Sequence, residues 1–200
     1  MHIYCEGAKT EPNYLSGYID EFFSDNRSLK IIKIEPTKKN TPKQLVDEAV
    51  TAKKENPKGD TFWVVYDRES RTKYADSLHA ETRNFADAHD VNIALSNVCF
   101  EVWLLLHFED SVGPYENFDD LWRRSSLKKR LPKYQKGDRS LYSKLSGGIN
   151  AARKNAERLN KRIEDGSASE ERFPHQWNPY TNVHELLDAI DLFAKSGKIK

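Results

Sequence analysis

Along the first hundred residues the apolar positions change period repeatedly, and each change marks an element. Ile3 to Cys5 is a short, apolar, β-prone run, read as a strand that starts almost at the first residue. Thr10 then opens a helix with Glu11 and Pro12 in its first turn, and Tyr14, Leu15, Tyr18, Phe22 and Phe23 recur at helical spacing. Leu29 to Glu35 alternates as a strand does. Thr41-Pro42-Lys43-Gln44 is a capping box with proline at the first helical position, ahead of Leu45, Val46, Ala49 and Val50. Thr61 to Tyr66 (TFWVVY) is unbroken aromatic and β-branched sequence, as a central parallel strand covered on both faces requires. A polar helix over about Tyr74 to Ala88 precedes a fourth strand at Val91 to Leu95. Phe100 to Phe108 reads as a helix apolar nearly all round, and therefore buried.

That β-α-β-α-β-α-β-α order predicts an α/β domain of three layers, α/β/α, around a mostly parallel sheet. Beyond about Asp110 the strand signals stop. Asn117 to Leu131 and Ile149 to Arg162 read as helices with a basic, irregular stretch between them, and Gly166 to Glu171 reads as a polar loop. Pro179 precedes a last helix with Val183, Leu186, Leu187, Ile190 and Phe193 as its apolar stripe, Asn182 as its cap and Glu185 reaching back. The expectation is one structural unit, an α/β core at 1–110 with a basic helical region at 111–200 packed on it.

Charge sharpens this picture. The 200 residues carry a net +1. From Leu121 to Arg162, however, fourteen Lys or Arg face only Asp138 and Glu157, a local balance of +12 that leaves −11 for the rest. Such asymmetry marks a surface for nucleic acid or another polyanion, or else a half that packs on its acidic partner half, or simply a solvated helical face. Lys128, Lys129, Arg130, Lys133, Lys136 and Arg139 are the candidate backbone-binding residues, with Trp122, Tyr134 and Tyr142 interleaved as candidate stacking partners for bases. No apolar run approaches the roughly 18 residues of a membrane span, and no secretory signal opens the chain, so a soluble cytoplasmic protein is expected. Cys5 and Cys99 are too few for a disulfide framework or a cysteine zinc site, and the six histidines lack H-x₃-H or H-E-x-x-H spacing. No Walker-type or G-x-G-x-x-G phosphate loop is present.

The chemistry left is that of carboxylates. In open parallel sheets, ligands bind beyond the carboxyl ends of the strands. Glu6-Gly7 follows the first strand, Asp67-Arg68-Glu69 follows the third, and Glu101 follows the fourth. Hard oxygen ligands from separate loops suit Mg²⁺, which keeps several waters and takes substrate phosphate. Carboxylates after strands also serve as turn formers and caps, so Asp67 alone has a structural alternative. Glu101 heads an apolar helix, where a bare charge would cost several kcal/mol, so it must find a cation, a metal or a donor. His107, at the other end of that helix, reads as a hydrogen-bonded core histidine.

The same residues carry a resemblance. Cys5 to Tyr14 (CEGAKTEPNY) resembles the opening E-G-x-x-T-E-x-x-Y of the RloB-like family, which includes the abortive-infection protein AbiLii. Val64 to Glu69 (VVYDRE), Ser96 to Phe108 (SNVCFEVWLLLHF) and Trp177 to Val183 (WNPYTNV) match further blocks in order, and Tyr134-Gln135-Lys136 resembles a Tyr-x-Lys block between them. The family in turn resembles Toprim domains, in which a Glu after the first strand acts as acid/base and a later Asp-x-Asp pair holds Mg²⁺. Carried over, the resemblance gives Glu6 the first role and Asp67 with Glu69 the second, with Glu69 standing where the pattern has Asp. It further implies an effector nuclease of phage defence, in some relatives directed at transfer RNA, beside an ABC-type ATPase partner.

Two functions fit these features. The first is a phosphodiesterase on RNA or DNA dependent on Mg²⁺ (or Mn²⁺), with Glu6, Asp67, Glu69 and Glu101 as catalytic residues and Glu6, Asp67 and Glu69 as metal ligands. The second is a non-catalytic adaptor that binds an ATPase or nucleic acid. A cleft filled by Arg68 or a lysine as counter-ion favours the adaptor. The catalytic reading needs Glu6 and Asp67 on one rim, hence the first and third strands side by side.

Overall fold

Side chains alternate across the sheet and sort themselves into two cores. Ile3, Cys5, Trp63, Val65 and Ala94 point to one face; Tyr4, Phe62, Val64, Tyr66, Ile93 and Leu95 point to the other. This is a computed structural model describing residues 1–23, 31–56, 59–110 and 113–197; Leu29 and Lys30 of the predicted second strand lie outside them. The strands are β1 (His2–Cys5), β2 (Lys33–Glu35), β3 (Phe62–Asp67), β4 (Asn92–Asn97) and β5 (Tyr180–Thr181). They form one sheet in the order β2-β1-β3-β4-β5. The first four run parallel, with Ile3 opposite both Ile34 and Trp63, and Val65 opposite Ala94; β5 is antiparallel to β4. The first and third strands are therefore neighbours, as the sequence reading required.

Helices cover both faces. On one lie α1 (Thr10–Phe22), the short buried α4 (Glu101–Leu105), α5 (Phe118–Arg124), α6 (Leu127–Arg130), α7 (Leu141–Leu145), α8 (Ile149–Gly166) and α9 (Val183–Gly197). On the other lie α2 (Pro42–Glu55) and α3 (Asp76–Asp87). Thr41 caps α2 as predicted, its hydroxyl accepting from the Gln44 amide at 3.4 Å. The predicted 117–131 helix breaks at Ser125-Ser126 into α5 and α6, with Asn117 capping the first of them. Tyr142 of α7 lies against Gly17 of α1, where a Cβ would stand 2.7 Å from its own Cβ, so the two helices approach this closely only because position 17 is glycine. Its ring packs edge-on to Tyr14 and Tyr18.

Two expectations about the C-terminal part are corrected. A fifth strand exists beyond Asp110, but two residues are too few to print a period on the sequence. Asn182 does not cap α9 with its side chain. Its Oδ1 accepts from the Leu95 amide at 2.7 Å and its Nδ2 donates to the Ile93 carbonyl at 3.0 Å, so the amide serves as a strand partner on the edge of β4. Glu185 does reach back, accepting from the Asn182 side-chain NH₂ at 3.0 Å. On the outer side of β5, Asn160 of α8 donates to the Thr181 carbonyl and accepts from its amide, which blunts the exposed edge.

Candidate functional site

The strand order reverses direction between β1 and β3. The chain leaves β1 for β2 on one side and returns to β3 on the other, which opens a crevice at their carboxyl ends. Glu6 and Asp67 stand there. The Glu6 amide still pairs with Val65 as if extending β1, at 2.9 Å, while its carboxylate turns over the end of β3 and accepts from the Asp67 amide at 3.1 Å. A cavity of about 410 Å³ opens beside them and is lined by Glu6, Asp67, Glu69 and Glu101, with Glu11, Lys73 and Lys136 as further charged walls. All four predicted carboxylates thus face one cavity.

Each is held differently. Glu101 is buried at the start of α4 and accepts from the Tyr134 hydroxyl at 2.6 Å, which is the donor its position demanded. Glu69 lies in the left-handed region at φ 61°, an uncommon conformation for a residue with a Cβ, and its carboxylate pairs with Lys73 at 2.6 Å. The loop is fixed from below by the Arg68 and Glu69 amides, which donate to the Ser96 and Val98 carbonyls at 2.8 and 2.9 Å. Arg68 does not fill the cleft. Its guanidinium is buried on the other side, bound to Asp76 and to the carbonyls of Glu69, Tyr74 and His175. Among the described residues no side-chain hydrogen bond or ion pair reaches the Asp67 carboxylate.

The electrostatics reflect charges of one sign gathered in little water. Burial pushes the pKa of Asp67 well up, and Glu11, Glu101, Glu6 and Glu69 push it further. Glu6 is raised to about 7, mainly by burial, against the opposing Asp67 amide. Glu11 is raised by burial and then by Glu101. Burial works against the Lys136 ammonium, yet Glu101, Asp67, Cys99 and Glu11 together hold its pKa above the ordinary value. Cys5 is buried and its thiol pushed far up, so it is no nucleophile. His107 is the core histidine expected: Nδ1 lies 3.1 Å from the Trp103 carbonyl and Nε2 3.0 Å from the Tyr14 hydroxyl. Burial lowers its pKa to about 4.

Sequence reasoning overlooked Glu11, which it read only as a favourable charge in the first turn of α1. The structure makes it a buried wall of the cavity. Gly7 gives room to Glu11, since a Cβ at residue 7 would collide with the Glu11 carboxylate. The pair Glu11 and Gly7 sits inside the opening block, and that block was the available signal. Lys136, assigned to the basic arm, is also a wall of this cavity, and Tyr134 reaches it through its hydrogen bond to Glu101. Thr10 anchors them by donating to the Lys136 carbonyl at 3.0 Å.

As to metal, the donor set is all oxygen, hard and in excess of positive charge, which suits Mg²⁺ or Mn²⁺ rather than zinc. Among the described residues no three His, Cys, Asp or Glu side chains form a closed group around one point. An ion here would hold one or two carboxylates and fill its shell with water and substrate oxygens, which is how Mg²⁺ ordinarily binds beside phosphate.

Lys128, Lys129 and Arg130 are exposed on α6, and Lys133, Lys136 and Arg139 are exposed on the loop that follows. Four acids of this half are taken by other cations: Asp120 by Arg123 and Arg124, Asp138 by Lys144, Asp188 and Asp191 by Arg153. Among the described residues none of the six forms an ion pair. Tyr142 is buried and cannot stack on a base. Trp122 and Tyr134 remain half-exposed, their rings 5.7 Å apart. Among the described residues no helix is long and apolar enough to cross a membrane.

The family model described as RloB-like protein matches residues 1–190. No curated protein and no solved structure matches the chain.

Proposed function

We propose, for a chain that belongs to the RloB-like family, a phosphodiesterase: a divalent-metal-dependent nuclease acting on RNA or DNA. The observation that carries this reading is the gathering of Glu6, Glu11, Asp67 and Glu101 around one cavity at the switch point of the sheet, next to exposed basic side chains free of internal acids. Carboxylates whose pKa values are driven up by burial and by one another are a costly arrangement, and such arrangements concentrate at functional sites. Asp67 and Glu69, with Glu6 beside them, would hold Mg²⁺ or Mn²⁺, which when bound supplies the positive charge that offsets a scissile phosphate.

The chain's own groups have separable tasks. Glu6, with a pKa near 7, can take a proton from an attacking hydroxyl at neutral pH. Tyr134 keeps Glu101 in one orientation, and Lys136 offsets charge on the phosphate oxygens. Lys128, Lys129, Arg130, Lys133 and Arg139 hold the flanking backbone. The likeness of the family to Toprim domains supports the same division of roles. It also supports a cytoplasmic effector of anti-phage defence working with an ABC-type ATPase, with transfer RNA among the substrates to try first.

A second reading, a non-catalytic adaptor, is favoured by the Lys73–Glu69 pair and by the lack of a closed three-carboxylate group among the described residues. Total transfer RNA and plasmid DNA incubated with Mg²⁺ or Mn²⁺, with and without the ATPase, decide between them. Asp67→Asn keeps the shape and removes the charge, so cleavage should fall by at least ~100-fold while the fold survives. Full cleavage by Asp67→Asn overturns the site assignment. A wild-type protein that binds nucleic acid or the ATPase but cuts neither substrate supports the adaptor.

A further inference from the structure

A second cavity adjoins the acidic one and has the opposite character. It measures about 560 Å³ and lies between the loop after β3, the loop before α5 and the loop before β5, with Glu69 as a wall common to both cavities. Its other walls are rich in hydrogen-bond donors. Arg71 is exposed, its guanidinium 3.8 Å from Glu171 at the rim. Arg124 lies over the Tyr115 ring at 5.7 Å and is half-exposed despite its pairing with Asp120. Asn117 and Gln176 each use only the oxygen of their amides, accepting from the Asp120 and Phe173 amides at 2.9 and 3.1 Å. Among the described residues neither NH₂ group has an acceptor. Of the two acids on its walls Glu69 is already paired with Lys73, which leaves Glu116; Glu171 and Asp120, the partners of Arg71 and Arg124, are not among the lining residues.

Two guanidinium groups and two free amide donors around an open polar space are a recognition surface for phosphate and sugar oxygens, and the volume is that of a nucleotide. We propose that this cavity is a backbone-anchoring subsite, in which Arg71 and Arg124 hold the phosphodiester one or two nucleotides from the bond placed at Glu6 and Asp67. This rests on the nuclease reading above and adds to it a second point of grip, separate from Lys128–Arg139. Glu69 would then sit between reaction and anchor, which gives a reason for its left-handed backbone. Held on both sides of the acidic cavity, a strand is cut internally and not from its end.

Binding of fluorescent single strands of about 20 nucleotides, one RNA and one DNA, in EDTA over a range of salt tests this without calling on catalysis. Arg71→Ala with Arg124→Ala should weaken binding about 10-fold or more and reduce the salt slope by about 1.4 units, roughly 0.7 for each phosphate of a single strand that is no longer neutralised. Arg71→Lys in the Arg124→Ala background should restore part of the slope, which a mere folding defect would not. A stronger loss with one strand than with the other supports the anchor and identifies the sugar the cavity prefers. Wild-type binding with an unchanged slope in the double variant overturns the anchor and leaves the nuclease reading standing. No binding of either strand by wild type overturns the anchor, and the cleavage of transfer RNA and plasmid DNA then decides the nuclease reading separately. A mononucleotide that competes as tightly as the full strand also overturns the anchor, since the cavity would then be a small-molecule site.

Discussion

Glu6 shows in one side chain what the acidic cavity costs the fold. Its carboxyl has an ordinary value of 4.5 and is raised to about 7 in the folded protein, so the folded state resists its ionisation. For an acid raised on folding, the penalty is absent below the unfolded value, grows between about 4.5 and 7, and is complete above that. Glu6→Gln keeps an oxygen to accept from the Asp67 amide and has no charge to suppress. It should therefore stabilise the metal-free protein by about 1–3 kcal/mol at a pH of about 8 and by almost nothing at a pH of about 4.5. Urea unfolding in EDTA at several pH values measures this, and a gain independent of pH would show that the strain lies elsewhere. Glu6, Asp67 and Glu101 were legible in the sequence because each follows a strand whose end is easily located. Glu11 was not, because a glutamate in a first helical turn already has a sufficient local reason to be there.

At the scale of elements, the sequence displayed those that carry their own period. β1, β3, β4, α1 and α2 were visible from alternation, helical spacing or a cap. β5 was invisible because its reason for existing is the edge of β4, a tertiary partner that no local pattern encodes. Asn182 was misread for a related reason: its spacing to Glu185 fits a cap, but the backbone its side chain reaches is that of β4 and not of its own helix. Asn182→Ala would strip the Leu95 amide and the Ile93 carbonyl of these partners inside the protein. A loss of about 2–4 kcal/mol is expected, since a buried unsatisfied group costs about 1–3 kcal/mol. Asn182→Asp, which sets a buried carboxylate against the Ile93 carbonyl and Glu185, should lose at least as much at neutral pH. Equal stability of Asn182→Ala and wild type in urea would mean that water or a shifted backbone replaces the amide.

For the whole molecule the question is where the +12 goes. If the basic segment neutralised the acidic remainder internally, its lysines would be found in ion pairs. At the centre of the segment they are not: among the described residues Lys128, Lys129 and Arg130 stand exposed with no acid partner. Replacing all three with Ser should thus change stability by no more than about 0.5 kcal/mol for each residue, with Arg130, which lies over the Phe108 ring, contributing most. It should also lower the salt slope of nucleic-acid binding by roughly one unit for each phosphate left without its cation. A drop in the thermal midpoint with an unaltered slope would return these residues to a purely internal role. The charge asymmetry was plain in the sequence. What the sequence could not say is that Tyr134 and Lys136 bend back to the acidic cavity, because that depends on Thr10 anchoring a distant carbonyl.

The edge of β4 is completed by residues that come more than eighty positions later, and this imposes an order on synthesis. As the chain leaves the ribosome, Glu6, Asp67 and Glu101 are all made before Tyr134, which orients Glu101, and Lys136, which lines their cavity, and well before Thr181 and Asn182, which close the sheet. A half-made polypeptide therefore has its carboxylates but neither the hydroxyl that orients Glu101 nor a sealed strand edge. The acidic cavity is therefore completed only once Lys136 has been added, and its sheet only once Thr181 and Asn182 have followed.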